Sequence, residues 1–352
     1  MTGSQRWLLG VLAFLVAGCS PLYVLQAAYG EAKILWRREP FASVLARDDL
    51  DPEWRRKIML VEEARAFATG LGLDVGGSFG SLSYVDAEDT VFVVTAAKQT
   101  ALEPYVWWFP IVGRLPYKGF FDPERAKQEA RRIEAEGYDT LVRPAAAFST
   151  LGWFDDPLLR HVLDSDAVFL VDLVLHETYH RTFFLKGAGA SAFNESVASF
   201  VGHRGALEFF AARGGDAALV REAEVRWADA RRFATFMRGL VARLEALYAG
   251  SDTADILEAR EQVFAEARAE FDALPFDGKR YASFTDRPLD NAVVLHYRMY
   301  ASDLDVFEQL WQVAGGLRPA LDRIEAAAQA TPDSPLAGVR AALRSPGEPT
   351  PP

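Results

Sequence analysis

The sequence predicts an α+β fold, mostly helical with a small antiparallel sheet, from three observations. Short apolar runs broken by Gly, Pro and Asp occupy residues 80–148, apolar residues at helical spacing dominate after residue 164, and the composition can bury a core. Of the 352 residues, 50% are hydrophobic and 25% charged, which excludes a disordered chain. The single Cys excludes a disulfide scaffold. A formal net charge of -11, without a cluster of Lys and Arg, argues against a nucleic-acid partner.

In chain order, only Arg6 is charged before the apolar run Trp7–Ala17, which ends in Gly18 and Cys19. This is the form of a secretory signal peptide over residues 1–18. The run is too short to span a bilayer, which takes about 20 residues at about 1.5 Å each. No charge occurs between Trp7 and Glu31, so an uncleaved anchor extending to about Ala28 is the alternative. Ala32 to about Leu71 reads as two helices, and a Gly-rich break follows at Gly70–Gly80. Strand-like runs at Leu82–Val85, Thr90–Ala97, Tyr105–Val112 and Tyr117–Phe121 make the sheet, residues 123–136 a solvated helix, and Thr140–Phe148 a returning strand. The aromatic runs Tyr105–Pro110 and Tyr117–Phe121 are core strands or include an edge able to pair with an extended substrate.

Two apolar-periodic helices span Asp164–Leu185 and Ser191–Ala212, and patterns at about 217–249 and 253–273 meet at Ala249-Gly250-Ser251-Asp252 as a helical hairpin. The Pro-rich tail Ser345–Pro352 reads as disordered. The expectation is one domain over residues 19–344.

The chemistry sits in His176-Glu177-Thr178-Tyr179-His180, an HExxH motif preceded by the apolar run Ala167–Leu175 and capped at Asp164 or Ser165. On a helix the two His lie one turn apart and can share one Zn²⁺, while Glu177 lies beside that face, placed as a general base. A loop containing Gly187 and Gly189 leads to a second helix carrying Glu195, the third-ligand candidate; its alternative role is a first-turn Glu on the helix dipole. Asn194 and Ser199 are candidates to orient the ligands, and Asp172, one turn before His176, could orient an imidazole or break the apolar face. His161 and His203 lie off metal-ligand spacing and read as ordinary or supporting residues.

Asp155 and Asp156 are candidates for binding a substrate α-amine; in the alternative reading Asp156 caps a helix beginning at Pro157. Tyr297 and Tyr300, with His296 adjacent, lie in a helical stretch after Asn291, as oxyanion donors or as core aromatics.

Two resemblances attach to these residues. Val16-Ala17-Gly18-Cys19 resembles the lipobox of bacterial lipoproteins, which implies acylation of Cys19, membrane attachment through that lipid and, with Ser20 following, the periplasmic side of the outer membrane. His176-Glu177 to His180 with Asn194-Glu195 resembles the gluzincin metallopeptidases, whose fold is zincin-like. It departs from them in a shorter spacing from His180 to Glu195 and in the charged Arg181.

The chain is more similar still to the predicted-aminopeptidase family of bacterial lipoproteins. The similarity is carried by Cys19-Ser-Pro-Leu-Tyr23, Trp108-Phe-Pro-Ile-Val-Gly113, Tyr117-Lys-Gly-Phe-Phe121, Ser149-Thr-Leu-Gly-Trp-Phe-Asp-Asp-Pro-Leu-Leu159, the HExxH helix, Phe193-Asn-Glu-Ser196 and Asn291-Ala292. It implies peptide substrates, one zinc ion per chain and aminopeptidase action. The G-x-M-E-N amine-binding motif of the large zinc aminopeptidases is absent. A metalloendopeptidase of envelope proteins and a non-catalytic zinc-binding lipoprotein are the competing readings; the intact Glu177 counts against the second, because a structural zinc site needs no base.

Overall fold

The computed structural model describes residues 30, 32–85, 91–109, 113–145, 155–186, 190–214, 216–250, 253–278, 280–282 and 284–344. The signal segment, Cys19 and the tail from Ser345 lie outside the described residues, as do the Gly187–Gly189 loop and residues 149–154 of the long Ser149–Leu159 segment.

The architecture is α+β and mostly helical, as its patterning predicts. A helical segment at 32–36 leads into β1 (Arg38–Pro40), α1 (Phe41–Leu45) and α2 (Pro52–Gly70), where two helices alone were expected. The extra strand pairs antiparallel with β2 (Ser81–Ser83), and Pro40 is tolerated because β1 lies at a sheet edge. Asp51 starts α2 by accepting a hydrogen bond from the Glu53 amide at 2.7 Å, with Pro52 behind it.

The strands do not form one antiparallel sheet. Among the described residues they form three: β1-β2-β8, in which β2 and β8 (Leu158–Leu159) run parallel; the hairpin of β4 (Trp107–Phe109) and β5 (Gly113–Leu115); and a sheet in the order β6 (Tyr117–Phe120), β3 (Phe92–Lys98), β7 (Tyr138–Pro144). Alternation of side chains identifies a strand but carries no information about its neighbour, so pairing was the part a linear pattern could not supply.

In the third sheet, β3 runs antiparallel to both β6 and β7, with Val93 opposite Gly119 on one side and Arg143 on the other. Its two faces therefore separate cleanly. Val94, Ala96 and Phe120 pack with Trp107 against Ala126, Ala130 and Ile133 of α3 (Pro123–Glu134). Val93, Thr95, Tyr117, Gly119 and Arg143 turn to the opposite side and wall a cavity.

The other walls are helical. A 3-10 turn at Arg160–Asp164 precedes α4 (Ala167–Thr182), whose cap is Asp166, accepting from the Phe169 amide at 2.8 Å, instead of Asp164 or Ser165. Leu170, Val171, Val174, Leu175 and Tyr179 are all essentially inaccessible, so α4 is apolar around most of its circumference and runs through the middle of the core. Each such buried side chain contributes roughly 1.5–3 kcal/mol.

Next come α5 (Ala190–Arg213) and the hairpin of α6 (Ala217–Gly250) and α7 (Thr253–Asp272), then α8 (Asn291–Ala301), α9 (Leu304–Ala314), α10 (Leu317–Ala330) and α11 (Pro335–Arg344). None of the described helices is long and apolar enough to cross a membrane.

Contacts between α4 and α5 set the geometry of everything after. At Gly202 an added Cβ would lie 2.8 Å from the Asp172 carbonyl oxygen and nearer still to its carboxylate, and at Gly205 it would lie 2.7 Å from Leu175 Cδ1. The helices approach this closely only because two side chains are missing. A second tie holds α8: the Asn291 amide group donates to the Lys98 carbonyl at 2.8 Å, its oxygen accepts from the Tyr248 hydroxyl at 2.8 Å, and its backbone N–H donates to Asp139 at 3.0 Å. Asp139 is itself paired with Arg260 at 2.8 Å. This buried network joins α8 to the ends of β3 and β7, so the helix faces the sheet across the cavity.

Gly202→Ala is expected to cost about 1–3 kcal/mol, the usual range for forcing volume into a packed core, read as a lower midpoint in denaturant unfolding. Gly239→Ala, where a Cβ would meet no atom within 4 Å, is expected to be neutral or mildly stabilising.

Candidate active site

One turn of α4 carries His176 and His180 towards the first turns of α5, and the antiparallel return brings Glu195 against both. The imidazole Nε2 atoms stand 3.2 Å apart, and the Glu195 carboxylate lies 3.4 Å from that of His176 and 3.5 Å from that of His180. Among the described residues these three form a group that could hold a metal ion. Donors about 2.0–2.1 Å from a tetrahedral cation stand about 3.3 Å from one another, so the observed separations fit an ion of that size at their centre. The donor set, two imidazoles and one carboxylate, also fits.

The hydrogen bonds of the Asn194 side chain go to Leu185: it accepts from the Leu185 amide at 3.1 Å and donates to the Leu185 carbonyl at 2.9 Å, closing the connection from α4 and fixing where α5 starts. Ser199 lines the cavity on α5 one turn beyond Glu195, and the neighbouring Ser196 donates to the Met299 carbonyl of α8 at 3.0 Å.

Asp172 orients an imidazole, but that of His203: their side chains meet at 2.7 Å, and Arg280 joins at 3.2 Å. His203 was legible only as an ordinary histidine, because its partner is fixed by the register of α4 against α5. Burial pushes the Asp172 carboxyl up, yet His203 and Arg280 hold it well below the usual carboxylate range. Burial likewise opposes ionisation of Glu195, and the imidazoles beside it prevail, holding it far down. Burial would lower His176, but Glu195, Glu177 and Asp172 raise it.

A cavity of about 600 Å³ opens beside this group, within the size range of small-molecule sites. Glu177 lines it without belonging to the three-donor group. So do Tyr117, Arg143, His203, Arg280 and His296, none of them selected as site residues from spacing. The signal was weak: Tyr117 and Arg143 are single residues in short strands, His203 and His296 single histidines on helices, and Arg280 lies in a turn without a pattern.

Both candidate tyrosines are here. Tyr300 lies with its ring 6.3 Å from that of His176, whereas Tyr297 packs edge-on against Phe233 and Phe284 at 5.2 and 5.1 Å. Burial, reinforced by the charge of Glu195, raises Tyr300 well above the ordinary phenol value.

Asp155 and Asp156 do not line the cavity. Asp155 accepts from the Gly77 amide at 2.9 Å and lies 3.7 Å from Arg181. Asp156 is buried, and residues 155–157 lead into β8, so there is no helix at Pro157 for Asp156 to cap. The charged residue after the second His is thereby explained: Arg181 points away from the metal-type group, between Asp155 and Asp74, against the close turn at Gly76.

The chain matches the family described as "Putative aminopeptidase" over residues 22–333. No curated protein and no solved structure matches it.

His296 gives the site a pH signature. Burial, with Arg143 and Arg287 nearby, lowers its imidazole to about 3, and its Nδ1 is buried without a hydrogen-bond partner. An unfolded histidine titrates near 6.5, so between about pH 6.5 and 3 the unfolded chain binds the extra proton and stability falls on acidification. His296→Gln is expected to flatten stability against pH in that window by close to one proton, measured by denaturant unfolding at several pH values.

Proposed function

Since the chain belongs to the "Putative aminopeptidase" family, we propose that it is a zinc-dependent peptidase of the gluzincin type, acting as an aminopeptidase in the bacterial envelope, where a lipidated Cys19 holds it to the outer membrane. Peptides are the substrates. His176, His180 and Glu195 would hold one ion per chain. The observation that carries this reading is the trio of donor separations, 3.2, 3.4 and 3.5 Å, with an unligated Glu177 beside the same cavity.

A zinc ion bound there supplies Lewis acidity to a water molecule and to a peptide carbonyl. Glu177 takes the proton from the attacking water as the new C–O bond forms, then delivers it to the amide nitrogen as the C–N bond breaks. Tyr300, held protonated by burial and the nearby Glu195 charge, donates to the oxyanion. The edge-on packing of Tyr297 against Phe233 and Phe284 supports a structural role for it.

Elemental analysis of a soluble form starting after Ser20 is expected to give about one zinc per chain. Glu177→Gln should retain the metal and lose at least about 1,000-fold in kcat, whereas His180→Ala loses the metal itself; full activity in Glu177→Gln would refute the mechanism. Tyr300→Phe is expected to cost about 100-fold or more in kcat and Tyr297→Phe under about tenfold, from initial rates on the same peptide. Incorporation of labelled fatty acid into the wild type but not Cys19→Ser tests the anchor.

A further inference from the structure

The charges around the cavity do not balance one another. Its described lining carries three carboxylates, Asp172, Glu177 and Glu195, and two guanidinium groups, Arg143 and Arg280. Asp172 is occupied by His203 and Arg280, and Glu195 by the two imidazoles. Glu177 is assigned to proton transfer. Among the described residues, then, no carboxylate of the lining is left over for a substrate amine.

Arg143 is in the opposite position. It projects from β7 on the cavity face of the sheet, opposite Val93, and no described carboxylate lies within ion-pair distance of it. Its Nε is buried without a hydrogen-bond partner, and its one hydrogen bond among the described residues is a long one, 3.5 Å, to the adjacent Pro144 carbonyl. Its charge is felt by Tyr117, His296, Tyr297 and Tyr300, which places the guanidinium among the groups facing the metal-type cluster. A half-buried cation without a partner is unfavourable, and the planar fork of an arginine matches a carboxylate through two parallel hydrogen bonds.

We infer that Arg143 receives the α-carboxylate of the substrate, so that the site takes short peptides whose free C-terminus lies close to the bond being cut. This rests on the peptidase reading and narrows its substrate class. Arg143 is here a specificity-determining residue.

Trialanine and trileucine, each as the free acid and as the C-terminal amide, test the inference. The zinc-loaded wild type is expected to favour the acids at least tenfold in kcat/KM, mainly through KM. Arg143→Met should remove that preference by weakening the acids alone, and Arg143→Lys should restore part of it; zinc content and thermal unfolding report whether each variant is folded. Calorimetric binding of the same peptides to Glu177→Gln reads the preference without turnover.

Equal hydrolysis of acid and amide by the wild type overturns the inference and leaves the peptidase reading standing. An equal fall in kcat for both forms in Arg143→Met also overturns it, assigning the guanidinium to the oxyanion. An amidated peptide ending in Glu that binds as well as the acids overturns it in favour of a side-chain carboxylate. Tenfold preferential binding of the acids to Glu177→Gln, with no hydrolysis by the wild type, sustains the inference and sinks the peptidase reading; neither binding nor hydrolysis sinks both.

Discussion

The close passage of α4 against α5 is the constraint from which the rest follows. A carboxylate presented by one helix must meet two imidazoles presented by another within about 3.5 Å, and the beginning of α5 supplies it in Glu195. Gly202 and Gly205 remove the side chains that would hold the backbones apart, and Asn194 fixes the connection at Leu185 so that α5 begins in register. The shorter interval from His180 to Glu195 is accommodated by this tight return. Packing here determines donor geometry, so an error of one methyl group in the core would be felt at the site.

Concentrating charge in such a place is costly, and the protein offsets the cost by pairing. Asp172 and His203 form a buried pair beneath His176, with the partly exposed Arg280 closing it from outside, and Asp139, Arg260 and Asn291 form a buried set under the sheet. Buried ions are tolerable when each has an opposite charge and its remaining hydrogen bonds are made. The first pair also biases the electrostatics of His176, whose ordinary response to burial is reversed by neighbouring carboxylates. The three-donor group is of the same kind, a carboxylate against two imidazoles that could hold a metal ion.

Much of this was legible in the linear chain because it is local. Helical spacing placed α4, α5 and the α6–α7 hairpin, and the HExxH spacing placed two donors on one face. What was not legible depends on which segments meet. One antiparallel sheet was expected where the described residues make three, since a strand's partners are chosen by tertiary packing. Asp155 and Asp156 looked suited to an amine because they precede the metal helix, but the 3-10 turn and β8 carry them to the far side, against Gly77 and Arg181. Arg143, His203 and His296 gave no motif, because each acquires its role from a neighbour more than 30 positions away or from the cavity itself. Asn291-Ala292 entered only as one segment of a family resemblance; in the fold Asn291 is the join between α8 and two strands.

The two-layered wall of the cavity has an evolutionary corollary. The groups assigned to bond cleavage belong to α4, α5 and α8, whereas the facing surface is made of alternate residues on β3, β6 and β7, whose backs are anchored independently on α3. Exchanging a residue on that facing surface alters the shape and charge met by a ligand while leaving the helical layer undisturbed. On the proposed function, selectivity and reactivity would then be separable traits, the first open to drift on the sheet while the second stays fixed on the helices.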